Sequence, residues 1–249
     1  MLTNYRLPDQ VDLTFGPPAL IGRFILHADQ AARERGVYLS LEYDFDALIA
    51  FNKTQASSWF PMIPTFDPEF SDLTPENSFW IAGRNHVGDI VTAQCARLFD
   101  WRDTNFKREF ESLRMAYRDP DVERFAEECA FSNVPSGRRI SGQVCYSGGA
   151  WYRPDYRGRG LSEIIPRLSR TIAYSRWQTD FTISLAESVL VEKGVVARYG
   201  YTRVEPGIDW LNSFLGHLLK LHLLWMDRGE LLNDLVVQLT EPAEYQRQA

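Results

Sequence analysis

The 249-residue chain carries 27 Lys and Arg against 33 Asp and Glu, giving a formal net charge of −6. This acidic balance predicts no nucleic-acid partner, and the longest apolar runs are too short to span a membrane. Three cysteines without a CxxC pair, four histidines without zinc-ligand spacing and the lack of a signal-peptide pattern predict a cytoplasmic protein without a metal.

Hydrophobic periodicity predicts the first elements of the chain. We expect a helix over residues 18–35 with Gly36 as its stop, then a strand over 37–45 and a helix over 46–58. Residues 58–77 are rich in proline and aromatic residues, which indicates an ordered loop rather than a flexible linker. Two strands, 79–83 and 90–98, flank a polar turn and are predicted to form a hairpin.

About forty residues separate this hairpin from the next strand. Apolar residues recur at helical spacing from Phe106 to Tyr117, and Asp119-Pro120 is a typical start for a second helix. That helix would have an apolar stripe ending at Cys129 and an otherwise acidic surface. The acidic surface either covers an acceptor site and attracts a cationic amine, or is simply solvated.

The most informative segment is the glycine-rich turn over residues 157–162, between a predicted strand (143–152) and a predicted helix (161–176). Such a turn leaves backbone N–H groups free at the positive end of a helix dipole, which suits a phosphate group. No Walker sequence is present, and Glu163 occupies the place of the third glycine of a Rossmann turn. The remaining interpretations are another phosphate loop or an ordinary strand-to-helix turn.

The string WYRPDYRGRGLS, residues 151–162, resembles the fourth strand and pyrophosphate loop of the GNAT superfamily of N-acyltransferases. The string YGYTRV, residues 199–204, resembles the helix-end signature of that family, so the resemblance covers about 140–205. Two positions depart from the family pattern. Ser162 stands where Gly or Ala is usual, and Val196 stands where a Tyr often protonates the departing thiolate.

The resemblance implies an α/β (α+β) fold with a mixed, mostly antiparallel central sheet, helices on both faces and a splay at the acyl-CoA site. The splay is expected between strands 144–152 and 181–186, with a bulge near Gly148-Gly149, and the last strand over 218–226. We expect one domain over 1–249, with an N-terminal extension (about 1–75) and a helical insertion (about 100–138). Homodimers are common in the family, so a homodimer is a further expectation by analogy.

The function implied is transfer of an acetyl group from acetyl-CoA to a primary amine of a small molecule or peptide, by direct attack in a ternary complex. Backbone groups of Trp151 and Arg153 would bond the pantetheine arm. The expected CoA-binding residues are Trp151, Tyr152, Arg153, Arg157, Gly158, Arg159, Gly160, Leu161 and Ser162.

The catalytic residues are less clearly marked by the sequence. Candidates for the general base are Glu187, Glu42 and Asp44. Ser188 could donate a proton or contact pantetheine, although a helix N-cap explains it equally well. Tyr199 is a second candidate donor, with core packing as its alternative role.

Two other functions remain open. The chain could bind acyl-CoA without turnover, as a sensor or interaction protein, because Val196 offers no proton. Alternatively, it could be an enzyme of the same fold that uses a longer acyl donor.

Overall fold

Eight strands form one sheet in the computed structural model, which describes residues 6–240. The strands are β1 (Tyr38–Glu42), β2 (Ser78–Arg84), β3 (Ile90–Trp101), β4 (Cys129–Ser132), β5 (Gly142–Tyr152), β6 (Phe181–Glu187), β7 (Arg203–Leu211) and β8 (Leu219–Asp227). Their order across the sheet is β1-β2-β3-β5-β6-β8-β7-β4. Every neighbouring pair is antiparallel except β5 and β6, which run parallel.

Seven α-helices lie in the described part of the chain. They are α1 (Pro18–Glu34), α2 (Phe45–Thr54), α3 (Phe106–Glu111), α4 (Pro120–Glu123), α5 (Leu161–Trp177), α6 (Ser188–Glu192) and α7 (Arg228–Thr240). Local sequence accounts for several boundaries. Pro18 opens α1 and Gly36 follows it with φ +75°, while the Asp44 carboxylate accepts the Ala47 N–H at 2.8 Å and caps α2.

Helices cover both faces of the sheet, which confirms the expected fold class. Helices α1, α5 and α7 pack on one face, which we call the α5 face. Helices α2 and α3 pack on the other face together with residues 59–66, and we call it the α2 face. Strand side chains alternate between the two, so that Ile183 lies in the core of the α2 face and Cys145 in that of the α5 face.

The predicted splay is present between the two parallel strands. β5 and β6 are paired at three positions only, Val144–Phe181, Cys145–Thr182 and Tyr146–Ile183, and they separate beyond them. The predicted bulge is also present, because the β3–β5 register shifts between Ala93 and Cys95, opposite Gly148 and the residues that follow it. The cleft between the strands therefore opens next to the bulge.

The helical insertion predicted over 100–138 is wrong in its second half. α4 is a single turn, and Cys129 belongs to β4, which pairs with β7 at the edge of the sheet. Pairing with β7 places Cys129 in a strand despite the helical spacing of the apolar residues, and Val122, in the single turn of α4, is 78% exposed. The acidic surface is in part structural, because the buried Glu128 accepts bonds from Tyr117 Oη (2.8 Å) and Trp210 Nε1 (2.7 Å).

The N-terminal part of the chain is built into the sheet. β1 forms one edge of it, and α1 and α2 lie on opposite faces, so this part of the chain contributes a strand and two covering helices to the same domain. Residues 1–5 and 241–249 of the expected domain lie outside the described residues. Helix α7, which the sequence did not predict, adds Leu231 and Leu235 to the core of the α5 face.

Candidate functional site

The turn that joins β5 to α5 has the geometry of an anion-binding loop. Gly158 and Gly160 have φ of +74° and +73°, values that side-chain-bearing residues adopt only with strain. Within residues 6–240, the five consecutive amides from Gly158 to Ser162 donate to no acceptor. They lie at the positive end of α5, a helix of 17 residues. Free amides and the helix dipole together fit a phosphate group.

Two of the arginines predicted to bind the cofactor instead hold the loop in place. Arg157 donates from Nε to the Tyr152 carbonyl and from its terminal nitrogen to the Ser58 carbonyl, both at 3.1 Å. Arg153 is paired with the Asp155 carboxylate at 2.7 Å. Their charges lie near the loop, and the donors named here are bonded within the protein.

Arg159 remains accessible beside the loop. Its guanidinium stacks on the Tyr156 ring, 4.1 Å from the ring centre, and donates to the Asp155 carbonyl at 2.9 Å. The side chain is exposed. Arg159 therefore offers a positive charge to a ligand at the loop.

A further arginine, Arg35, is absent from the sequence-based predictions. It follows α1 and donates from Nε to the Arg159 carbonyl at 2.7 Å and from Nη1 to the Ala31 carbonyl at 2.7 Å. Its Nε lies 3.4 Å from the position that a Cβ on Gly160 would take. No local pattern could have identified Arg35, because it is 124 residues from Arg159 in the sequence.

The backbone of β5 corrects the predicted contacts to pantetheine. The Arg153 N–H donates to the Val91 carbonyl of β3 at 2.8 Å, and Trp151 opposes Ala93 in the same register. Backbone groups alternate along a strand, so those of Trp151 and Arg153 face β3. The backbone of Tyr152, between them, faces the cleft.

The side chains of Trp151 and Tyr152 lie on opposite faces of the sheet. Trp151 is buried in the α2-face core, where its Nε1 donates to Ser58 Oγ at 3.2 Å and its ring stacks on Trp59. The Tyr152 ring packs on the α5 face. Its hydroxyl is buried, has no partner within the described residues, and has a pKa well above the ordinary value because of that burial.

The three candidate catalytic residues lie around the C-terminal end of β6. Glu187 opposes Leu221 and follows Leu185 by two positions, and both leucines pack in the α2-face core. Its half-buried side chain therefore lies on the α2 face. Ser188 contacts β8: its hydroxyl donates to the Lys220 carbonyl at 3.2 Å and lies 3.3 Å from His222 Nδ1.

Tyr199 packs against a small cluster of Ala186, Val196 and Leu224. Burial raises the pKa of its hydroxyl above the ordinary value, so this group is a weaker acid than an exposed tyrosine. Val196 is 3% exposed and belongs to the same cluster, so its position contributes packing and no proton.

The two other base candidates have structural roles. The Glu42 carboxylate is paired with Arg84 at 2.8 Å on the edge of the sheet. Asp44 is the N-cap of α2. Neither side chain is available at the cleft, so Glu187 is the one of the three that lies beside it.

One parallel pair in an otherwise antiparallel sheet splays open, and a phosphate-type loop follows the first of its two strands and opens the next helix. This is the sheet arrangement, with its splay, that the sequence resemblance implied. Within residues 6–240 no helix is long and apolar enough to cross a membrane, and no three His, Cys, Asp or Glu residues are grouped to hold a metal.

Solved structures similar to this chain include GNAT-fold acetyltransferases. The GNAT domain of S. lividans PAT is 10% identical over 77% of this chain and 90% of its own, with a TM-score of 0.41. Arabidopsis thaliana NAA60 in complex with acetyl-CoA is 10% identical over 78% of this chain and 99% of its own, with a TM-score of 0.45. The aminoglycoside acetyltransferase AAC(6')-Ib, in complex with coenzyme A and kanamycin, is 10% identical over 81% and 98%, with a TM-score of 0.42.

Because these TM-scores are all below 0.5, the similarities carry no argument about this chain. No family model and no curated protein matches the sequence.

Proposed function

We propose that this protein transfers an acetyl group from acetyl-CoA to a primary amine. The observation that carries the proposal is the run of five unpaired amides, Gly158 to Ser162, at the mouth of the splay between β5 and β6. A pyrophosphate accepts several hydrogen bonds at once, and this loop supplies them where a linear ligand could continue between the two strands.

The remaining contacts follow from the geometry of the cleft. Arg159 and Arg35 supply positive charge for the phosphates. The cleft-facing N–H of Tyr152 is placed to donate to a carbonyl of the pantetheine arm, because the Tyr152 carbonyl already accepts from Arg157 Nε. The thioester would then lie near Gly149 and Ala150, where the bulge frees backbone N–H groups that could polarise its carbonyl.

In the reaction, the amine nitrogen forms a bond to the acetyl carbon and the carbon–sulfur bond breaks. Glu187 takes the proton that the ammonium must lose. The proton that the nitrogen then loses as the amide forms passes to the departing thiolate through the hydroxyl of Ser188, which lies against His222, or of Tyr199, and that hydroxyl ends the step protonated. Holding amine and thioester together supplies proximity, a large share of catalysis for a reactive thioester.

A second candidate function is binding of acyl-CoA without turnover. The buried, apolar Val196 favours it, because this position supplies no acid to the thiolate. An enzyme with a longer acyl donor is the remaining alternative, and competition between donors of different chain length would distinguish it from an acetyltransferase.

Calorimetric titration with acetyl-CoA and with CoA tests the cofactor assignment, and release of CoA thiol in the presence of amines tests catalysis. We expect both ligands to bind with micromolar affinity and the thiol to appear only when an amine is present. Binding with no thiol release from any amine would favour the non-catalytic function. No binding of either ligand would overturn both.

A further inference from the structure

A cavity of about 280 Å³ lies on the α2 face, between the end of α2, the segment after it and the β7–β8 hairpin. Most of its lining is apolar or aromatic. The lining residues that carry the argument are Lys53, Ala56, Trp59, Met62, Asp67 and Phe214. Cavities of this composition bind small molecules with an apolar body.

The cavity adjoins the bulge of β5, where the thioester is placed in the proposed function. Met62 lines the cavity, and its sulfur lies 3.2 Å from the position that a Cβ on Gly149 would take. Trp59 also lines it and stacks on Trp151, with ring centres 5.2 Å apart. Two side chains therefore separate the cavity from the bulge, and one of them is an unbranched thioether that changes rotamer easily.

The proposed base lies on the same face. A second cavity of about 10 Å³ is lined by Ile63, the neighbour of Met62, and by Leu185. Leu185 precedes Glu187 by two positions on β6, so both side chains are on this face. An amino group that passed Met62 toward the bulge would approach the face that carries Glu187.

The charges of the lining exclude one class of acceptor. Lys53 and Asp67 are its only charged residues within the described chain, and they have opposite signs. A polycationic amine requires several carboxylates to compensate the loss of its hydration, and this cavity offers one. The buried Asn52 contributes no free polar group, because its amide donates to the Phe60 carbonyl and accepts from the Met62 N–H.

We propose, on the basis of the function above, that this cavity holds the body of the acceptor and that the acceptor is a primary amine on an apolar, ring-sized group. A cavity of about 150 Å³ accommodates benzene, so about 280 Å³ leaves room for a ring with a short aminoalkyl chain. The ring lies among Trp59, Met62 and Phe214, and the amino group reaches Gly149 past Met62.

The test compares amines and one pair of variants of the full chain. Benzylamine and cyclohexylmethylamine represent the proposed class, and putrescine and kanamycin represent polycationic amines. Ala56→Trp adds bulk at the exposed rim of the cavity, and Ser57→Trp adds the same bulk at the next, exposed residue, which does not line it. Acetyl-CoA affinity and amine affinity are measured by calorimetry, and transfer is measured by thiol release.

We expect benzylamine to have a higher kcat/KM than putrescine or kanamycin. Ala56→Trp should raise the KM or Kd for benzylamine about tenfold, with acetyl-CoA affinity unchanged and Ser57→Trp equal to wild type. Transfer that prefers putrescine or kanamycin, or that Ala56→Trp does not affect, would overturn the proposal. Benzylamine binding that Ala56→Trp weakens, without transfer to any amine, would support the cavity and contradict only the catalytic function.

Discussion

The glycine-rich loop over residues 158–162 and the α2-face cavity are built in opposite ways. The loop is one contiguous segment between β5 and α5, and its backbone conformation supplies the binding groups. The cavity is assembled from three separate parts of the chain, residues 49–70, Phe125 and Phe214, and its side chains supply the surface. A site made of backbone amides can be identified from a short string of residues, whereas a site made of distant side chains depends on the completed fold.

A substitution at Gly160 should have the largest effect on the loop. Gly160→Asp places a side chain at φ +73° and a negative charge where the pyrophosphate is expected, so we expect CoA affinity to fall at least about 100-fold. Gly216→Asp, at φ +75° in the β7–β8 hairpin, carries the same backbone strain away from the loop. Calorimetric titration with CoA should show weak binding for Gly160→Asp and wild-type binding for Gly216→Asp. Equal affinities of the two variants would contradict the assignment of the loop as the CoA site.

A change at Glu187 tests the catalytic side of the cleft. Glu187→Gln removes the proposed base while keeping its shape, so we expect kcat to fall about 100-fold and acetyl-CoA affinity to stay unchanged. Glu192→Gln, at the exposed end of α6, is the matched control. A rate for Glu187→Gln close to that of the control would mean that another group takes the proton.

Arg35 tests whether the loop depends on a distant residue. Arg35→Ala removes one charged hydrogen-bond donor beside Gly160, so we expect CoA affinity to fall about tenfold. Turnover of acetyl-pantetheine, which lacks the phosphates, should not change in this variant. A general structural defect would instead lower both CoA affinity and the turnover of acetyl-pantetheine. Arg23→Ala, on the exposed surface of α1, should leave both as in wild type.

Ser58 gives the smallest expected effect and concerns both regions. Ser58→Ala removes the acceptor of the Trp151 Nε1–H, so we expect the free energy of unfolding to fall by about 1 kcal/mol. Urea denaturation measures this change, with the neighbouring, exposed Ser57→Ala as control. Equal stability of the two variants would show that water replaces the lost bond.

The sequence predicted the central part of the fold because its signals are local. Glycines at residues 158 and 160 need positive φ, the strand and helix around them have clear periodicity, and Gly148-Gly149 marks the bulge. The prediction from sequence failed where the pairing of strands decides the structure. Which backbone groups of β5 face the cleft depends on the Arg153 bond to Val91, and β4 forms a strand because β7 provides an edge.

The site residues follow the same division. The loop glycines and the amides up to Ser162 could be predicted from one motif, whereas Arg35 and the cavity residues come together only in the folded chain. Position in the motif predicts Trp151 and Arg157 as cofactor contacts, and in the fold the side chains of both donate to Ser58.

Ser58 receives a hydrogen bond from Arg157 on its carbonyl and one from Trp151 on its hydroxyl, and the next residue, Trp59, lines the α2-face cavity. If a bound phosphate draws Arg157 away from Ser58, the displacement reaches Trp59 directly. Thermodynamic linkage then requires each substrate to change the affinity for the other by the same factor. The two substrates of such a protein would not bind independently, and the one that binds first would set the apparent affinity for the second.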